Sequence, residues 1–389
     1  MVEQVRSFRL VTEDIIRGEL TGQTGPCVSL YQATHRHHPD NQQDPIRFRN
    51  LLGSLQASLA QSVSAENAQT LLAPMQKLAD DADFWNHTLD GLAVFSAPGV
   101  FKALRLPTGL PDLSVVADTF HVKPLRRYFQ STGRYQVLAL SLGKVRVFEG
   151  NRHHLDELDL EGSVPTDLPA ALGHELTEKH QTVTSHGGVG LGSSMRHGHG
   201  GKADEVDNDR ERFFRAVDRA VIEHVSKPSG LPLLLCCLGE YQGHFRGLSQ
   251  NSLLVAPGLS IDPEALSHKD LEVRAWETFA PAYAASLAEH AERFGHAQSQ
   301  GRGISDLAEA ARAGVEGRID TLLLESGRAY PGRLDLATGA IALAQLDAPD
   351  VDDLLDDLGE IVSAKGGRVL VVPPEAMPTK TGLAATIRY

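Results

Sequence analysis

The stretch RYQVLALSLGKVRVFEGNRHHLDELDL, residues 134–160, decides how the chain folds. It breaks into three short runs rich in β-branched and aromatic residues, with turn residues at Leu142–Gly143 and Gly150–Asn151. Such runs predict three consecutive strands joined by tight turns. An irregular stretch, 161–203, comes next. DEVDNDRERFFRAVDRAVIEHVS (204–226) then places Phe213, Phe214, Val217, Ala220 and Val221 along one stripe, predicting an amphipathic helix. LPLLLCCLG (231–239) is apolar throughout, as suits a central strand covered on both faces. Three meandering strands, a helix and a buried strand predict a ribonuclease-H-like mixed sheet. NSLLVAPG and a helical region around 265–292 complete it.

Working outward, the N-terminal side reads as a mixed α/β domain over 1–130. PCVSLYQAT (26–34) is a strand by composition. IRFRNLLGSLQASLA (46–60) carries Leu51, Leu52, Leu55 and Leu59 at helical spacing, and a second helix over about 64–80 carries Leu71, Leu72, Met75 and Leu78. DGLAVFSAP and LSVVADTF follow as strands, giving the order βααββ. On the C-terminal side, GHAQSQGRG (295–303) reads as a linker between a central domain, 131–294, and a third domain, 304–389. There, ISDLAEAARAGVEG and VDDLLDDLGEIVSAKGG are helices ending in glycine. RIDTLLLES, RVLVVPP and LAATIRY are strands, and this alternation predicts an α/β/α sandwich. The fold class is α/β in three domains.

Composition narrows the function classes. The chain has 389 residues, and no run of about eighteen apolar residues that could span a membrane. Its three cysteines, Cys27, Cys236 and Cys237, lack the spacing of a disulfide framework, which points to reduced thiols and the cytoplasm. Net charge is -13, with 37 basic against 50 acidic residues, so any contact with RNA must come from a local patch.

Three further stretches carry a family resemblance. AARAGVEGRIDTLLLES (310–326) resembles the helix-to-strand passage opening the third domain of archaeo-eukaryotic release factors and Pelota. TGLAATIRY (381–389) is similar to their closing strand. GHGGKADEVDNDRERFFRAVDRAV (198–221) resembles the Gly-Gly-Gln loop of release factors and the long helix behind it. The bacterial archaeo-eukaryotic release factor (baeRF) group, and its third family in particular, is the best fit. The resemblance implies a Pelota-type sandwich at the C-terminus and a ribosome-associated role in rescue or hibernation. It also implies a loop reaching toward the tRNA acceptor end and a translational GTPase as delivery partner. Gly200 and Gly201 fall on the loop glycines, and Lys202 stands where those factors carry glutamine. The N-terminal segment holds no counterpart of the Asn-Ile-Lys-Ser loop used to read stop codons, so the resemblance does not extend to codon-specific termination.

The residues of that loop also have a reading of their own. From Ser185 to Gly201, seven of 17 residues are glycine. So little apolar surface does not offset the entropy of ordering the backbone, and bare amides can approach phosphate or ribose closely. The candidate RNA-contacting residues are Arg196, Gly198, His199, Gly200, Gly201, Lys202 and Arg210. Lys202 can stabilise negative charge but lacks the paired donor and acceptor of a glutamine amide. Binding without hydrolysis of peptidyl-tRNA is therefore the expectation, and no catalytic residue is assigned. No nucleotide cofactor is expected: a P-loop would need glycine at Arg196 and Ser or Thr at Ala203, and the dinucleotide spacing fails at Ser193 and Met195.

Seventeen histidines raise one alternative, a metal-dependent hydrolase or nuclease using the loop histidines His197 and His199, which flank Gly198. Neither that group nor His35, His37 and His38 offers three or four ligands at the spacing zinc requires, so no metal is assigned. The acidic run LDAPDVDDLLDDLGE (346–360) is a solvated face by its composition, or a dock for a basic partner.

Overall fold

The structure is a computed structural model that describes residues 7–9, 11–12, 14–20, 23, 25–61, 63–117, 119–173, 199–343 and 352–389. Contacts divide the chain into two compact units, one of residues 1–10 and 135–279, the other of residues 11–134 and 280–389.

The first unit is built on a six-stranded sheet. Its strands run in the order Ser7–Arg9, Leu155–Asp159, Val145–Gly150, Tyr135–Leu140, Leu233–Cys237 and Leu259–Ser260. The predicted three-strand meander is present, antiparallel throughout, and Leu233–Cys237 lies parallel to Tyr135–Leu140. The helix His199–Val221 lies between those two strands in sequence, so a helical crossover and a parallel pair follow the meander. This is the ribonuclease-H-like arrangement. All five residues of Leu233–Cys237 are buried, and burial pushes the Cys236 and Cys237 thiols up to about 12.

Two features of this unit were not legible. Ser7–Arg9 pairs in parallel with Leu155–Asp159 and so belongs to this sheet, although sequence reading assigned it to an N-terminal domain over 1–130. Backbone pairing across about 150 residues leaves no local trace. The helix Gly239–Leu248 was also missed, because GEYQGHFRGL contains three glycines that mask its periodicity.

The second unit holds two sheets. In the first, strands run Val100–Leu106, Gly91–Ala97, Cys27–Ala33 and Leu113–Ala117, all antiparallel. The helices Asp44–Leu59 and Ala65–Ala79 bury Phe48, Leu52, Leu55, Leu59, Leu71, Leu72 and Met75 against Val28, Leu30, Leu92 and Val94. Residues at i and i+2 of the two central strands face this core, while Tyr31, Ala93 and Phe95 face a second one. The expected order βααββ omitted the strand Val100–Leu106. It pairs back on Gly91–Ala97 through a Pro98–Gly99 turn in which Gly99 has φ +78°. The short helix Lys123–Gln130 was not foreseen either.

The other sheet has the order Gly303–Ile304, Leu383–Ile387, Ile319–Glu325 and Arg368–Val372. The helices Leu307–Val315 and Leu354–Ala364 cover one face, burying Ala310, Leu355, Leu358 and Val362 against Leu322, Leu324, Val371 and Ala385. Phe294, from the helix His268–Ser299, packs on the other face against Leu323, Val372 and Ala384. The α/β/α sandwich is present. The segment 295–303, read as a linker, instead contains the last helical residues and the start of an edge strand. A small antiparallel sheet of Pro331–Leu334, Ile341–Leu343 and Asp352–Asp353 was not anticipated.

The acidic run has a partner within this unit. On the helix Lys123–Gln130, Lys123 pairs with Asp357 and Arg127 with Asp356, while Arg126 lies 3.8 Å from Glu360. Asp353 caps the helix Leu354–Ala364 by accepting from Leu355 N at 3.1 Å, and Arg127 sits 3.8 Å away. Burial raises the Asp353 carboxyl above its usual range. Thr132 adds backbone and hydroxyl donations to the Val371 carbonyl at 3.0 and 2.8 Å. Asp353, Asp356, Asp357 and Glu360 are therefore engaged in holding the 123–132 segment to the sandwich, which argues against these four as a dock for a separate basic partner.

Candidate nucleic-acid interface

The helix His199–Val221 organises the candidate site. Its inner stripe buries Phe213, Phe214, Val217 and Val221, of which Phe214 meets Tyr241, His244 and Phe245 edge-on at ring distances of 5.6–5.7 Å. The helix also carries Asp207–Arg210, Asp209–Arg212 and Glu211–Arg215 ion pairs, at 2.8, 3.4 and 2.7 Å, spaced three or four residues apart. Such pairs each stabilise a helix by roughly 0.2–0.5 kcal/mol.

The helix begins earlier than the sequence suggests. Residues 199–203 were expected in a loop spanning 185–203, yet His199, Gly200, Gly201 and Lys202 form the first turn. Each helical glycine costs about 0.8–1 kcal/mol relative to alanine. Once a long helix is nucleated, however, each further residue adds a hydrogen bond without a new nucleation cost. Arg196 and Gly198, with the rest of 185–198, lie outside the described residues, so the structure brings together only part of the expected set.

Arg210 is the one candidate whose side chain is described. It donates to Asp207 at 2.8 Å, and its guanidinium lies 5.7 Å from the centre of the Tyr241 ring. Its Nε is buried without a hydrogen-bond partner. Tyr241 belongs to the helix that sequence reading missed. Burial, then the nearby Glu240 carboxylate, raise its phenol above the usual range. Farther along, Asp218 accepts from Ser249 Oγ at 2.5 Å and Gln250 N at 2.9 Å, fixing the turn after Gly239–Leu248. A cleft of about 480 Å³ opens there, lined by Arg215, Arg219 and Lys227 as well as Asp218 and Glu223. The described residues of this cleft offer cations for phosphate.

Histidine placement bears on the alternative reading. His35 Nδ1 lies 2.8 Å from Asp44 Oδ1, and Arg47 donates to the same carboxylate, whose residue is fully buried. That cluster is the anchor of the turn after Cys27–Ala33. Among the described residues no group of three metal-ligating side chains occurs. His197 lies outside them.

Comparison with known proteins bears on the class expected of the middle segment. Residues 134–318 match a release-factor family model, the one described as bacterial archaeo-eukaryotic release factor family 3. No curated protein matches the sequence. Solved structures similar to this chain include the archaeal translation termination factor aRF1, at 15% identity over 98% of this chain and 99% of that one, with a TM-score of 0.28. Dom34 of S. cerevisiae is 12% identical over 75% and 74%, with a TM-score of 0.37. A chain in a model of ribosome-bound archaeal Pelota and ABCE1 is 12% identical over 94% and 90%, with a TM-score of 0.41. The family match over 134–318 is the comparison that bears on identity.

Proposed function

We propose that this chain is a ribosome-associated translation factor of the rescue or hibernation type. In this reading the Gly198–Lys202 segment, with Arg196 and Arg210, approaches the tRNA acceptor end. The observation that carries it is the release-factor family match over residues 134–318, which contains a Gly200–Gly201–Lys202 sequence at the head of a long helix. The solved Dom34, by its description, interacts with Hbs1, and by analogy a translational GTPase is the delivery partner proposed here. The place of action is the cytoplasm.

Three arginines of the helix, Arg210, Arg212 and Arg215, are already engaged by neighbouring carboxylates. Phosphate contact then competes with these pairs, and affinity falls steeply with salt. Co-sedimentation with ribosomes is expected at low ionic strength and lost as salt rises. Absence from the ribosomal pellet at every salt concentration and growth state would remove the reading. Hydrolysis of peptidyl-tRNA is expected to remain at background, because Lys202 lacks the amide pair that could position water. Release above background that disappears in Gly201→Ala would instead make the chain a hydrolase.

A further inference from the structure

The face of the α/β/α sandwich that Phe294 covers also carries a cavity of about 610 Å³, within the range of small-molecule sites. The pairing of its strands explains its lining. Arg368 stands directly opposite Thr321, and Thr321 directly opposite Thr386, so one row of side chains crosses three strands. Residues two apart along a strand share a face, which places Leu323 and Ala384 in the next row and Arg388 beyond Thr386. Cross-strand neighbours lie about 5 Å apart and successive rows about 6.5–7 Å apart. The cavity thus has a cationic, hydroxyl-bearing row beside an apolar one.

Its charge is unusual for this molecule. The whole chain carries -13, yet the lining contributes four arginines, Arg293, Arg302, Arg368 and Arg388, against two carboxylates, Glu292 and Asp320, a net positive charge with histidine neutral. Two of the four arginines are only lightly engaged: Arg302 contacts the Gln300 side-chain carbonyl, and Arg388 donates to the Lys365 carbonyl at 3.3 Å. Arg293 pairs with Glu289. The Arg368 side chain, on a residue whose backbone belongs to the ladder, makes no hydrogen bond or ion pair among the described residues. His290, at the rim, is lowered below the ordinary histidine range by burial and by the Arg368 and Arg293 cations. Four guanidinium groups around a partly enclosed space repel one another, and an anion is the ligand that relieves this repulsion. Guanidinium forks and hydroxyl donors together fit phosphate oxygens.

We propose that this cavity binds a small phosphate ester of nucleotide size, its phosphate on Arg368, Thr321 and Thr386, flanked by Arg302 and Arg388. The uncharged part of the ligand lies against Leu323, Ala384 and Phe294. The site stands on its own lining and does not depend on the ribosomal reading.

The test is calorimetric titration of the full chain with adenosine, guanosine, cytidine and uridine monophosphates. Inorganic phosphate, adenosine and a short single-stranded RNA are the comparison arms. Saturable binding of at least one monophosphate is expected, about tenfold tighter than inorganic phosphate or adenosine, since each part of the ligand uses a different row. Arg368→Gln is expected to weaken it about tenfold or more and Arg368→Lys less, while Arg49→Gln, which alters the exposed Arg49–Asp80 pair outside the cavity, leaves it unchanged. Because Arg368 is exposed, thermal melting should show both Arg368 variants folded, and a monophosphate should raise the melting temperature of wild type more than that of Arg368→Gln. No saturable binding of any monophosphate at millimolar concentration overturns the proposal. So does equal affinity in folded Arg368→Gln, or binding of the RNA alone.

Discussion

Truncating Phe214 to alanine is expected to cost about 3–5 kcal/mol of stability, the usual range for a fully buried aromatic ring. The ring is 0% exposed and meets Tyr241, His244 and Phe245 edge-on. Removing it therefore loses transfer energy, leaves a cavity, and forfeits aromatic contacts worth about 0.5–1.5 kcal/mol each. The effect reaches the candidate site, because the same ring fixes the helix His199–Val221 whose first turn contains Gly200, Gly201 and Lys202. Denaturant unfolding of the variant should show a lower midpoint with an unchanged slope. A loss under about 1 kcal/mol would mean that the helix is not packed on the Gly239–Leu248 helix in this way.

Reversing Arg127 to glutamate is the second large effect. Arg127 pairs with Asp356 and lies 3.8 Å from Asp353, at side-chain exposures of 26%, 26% and 15%. Partial burial places these contacts between exposed pairs, worth about 0–1 kcal/mol, and buried pairs, whose breaking costs about 3–5 kcal/mol. Reversal also adds repulsion among three carboxylates, so a loss of about 2–3 kcal/mol is expected on those two scales. The swapped variant Arg127→Glu with Asp356→Arg should recover part of the loss, which a double-mutant cycle in thermal melts would read. Additive losses, with no recovery on swapping, would show that the Arg127–Asp356 pair does not contribute to holding the 123–132 segment.

The same residues show where sequence reading succeeds and fails. The Gly-Gly-Lys sequence was legible, but its place was not. A loop over 185–203 was a fair inference from glycine content, whereas the helix claims 199–203 because a strong downstream segment propagates backward through weak formers. Arg210 was legible as a cation. Its Asp207 partner follows from helical spacing, but its contact with Tyr241 depends on a helix that three glycines hide. The phosphate-ester cavity was invisible, since Arg302, Thr321, Arg368, Thr386 and Arg388 are scattered over 87 residues.

By itself the sequence determined the local periodicities: the meander over 134–160, the buried strand LPLLLCC, the amphipathic helices, and the strands of the sandwich. Such patterns survive because burial of one face or both is encoded every two or every 3.6 residues. Only the tertiary structure decided that Ser7–Arg9 joins the central sheet, that Asp356 and Asp357 of the acidic run pair with Arg127 and Lys123, and that three strand ends align one arginine with two threonines. Those are long-range pairings, set by register and charge complementarity between segments far apart in the chain, and no local window contains both partners.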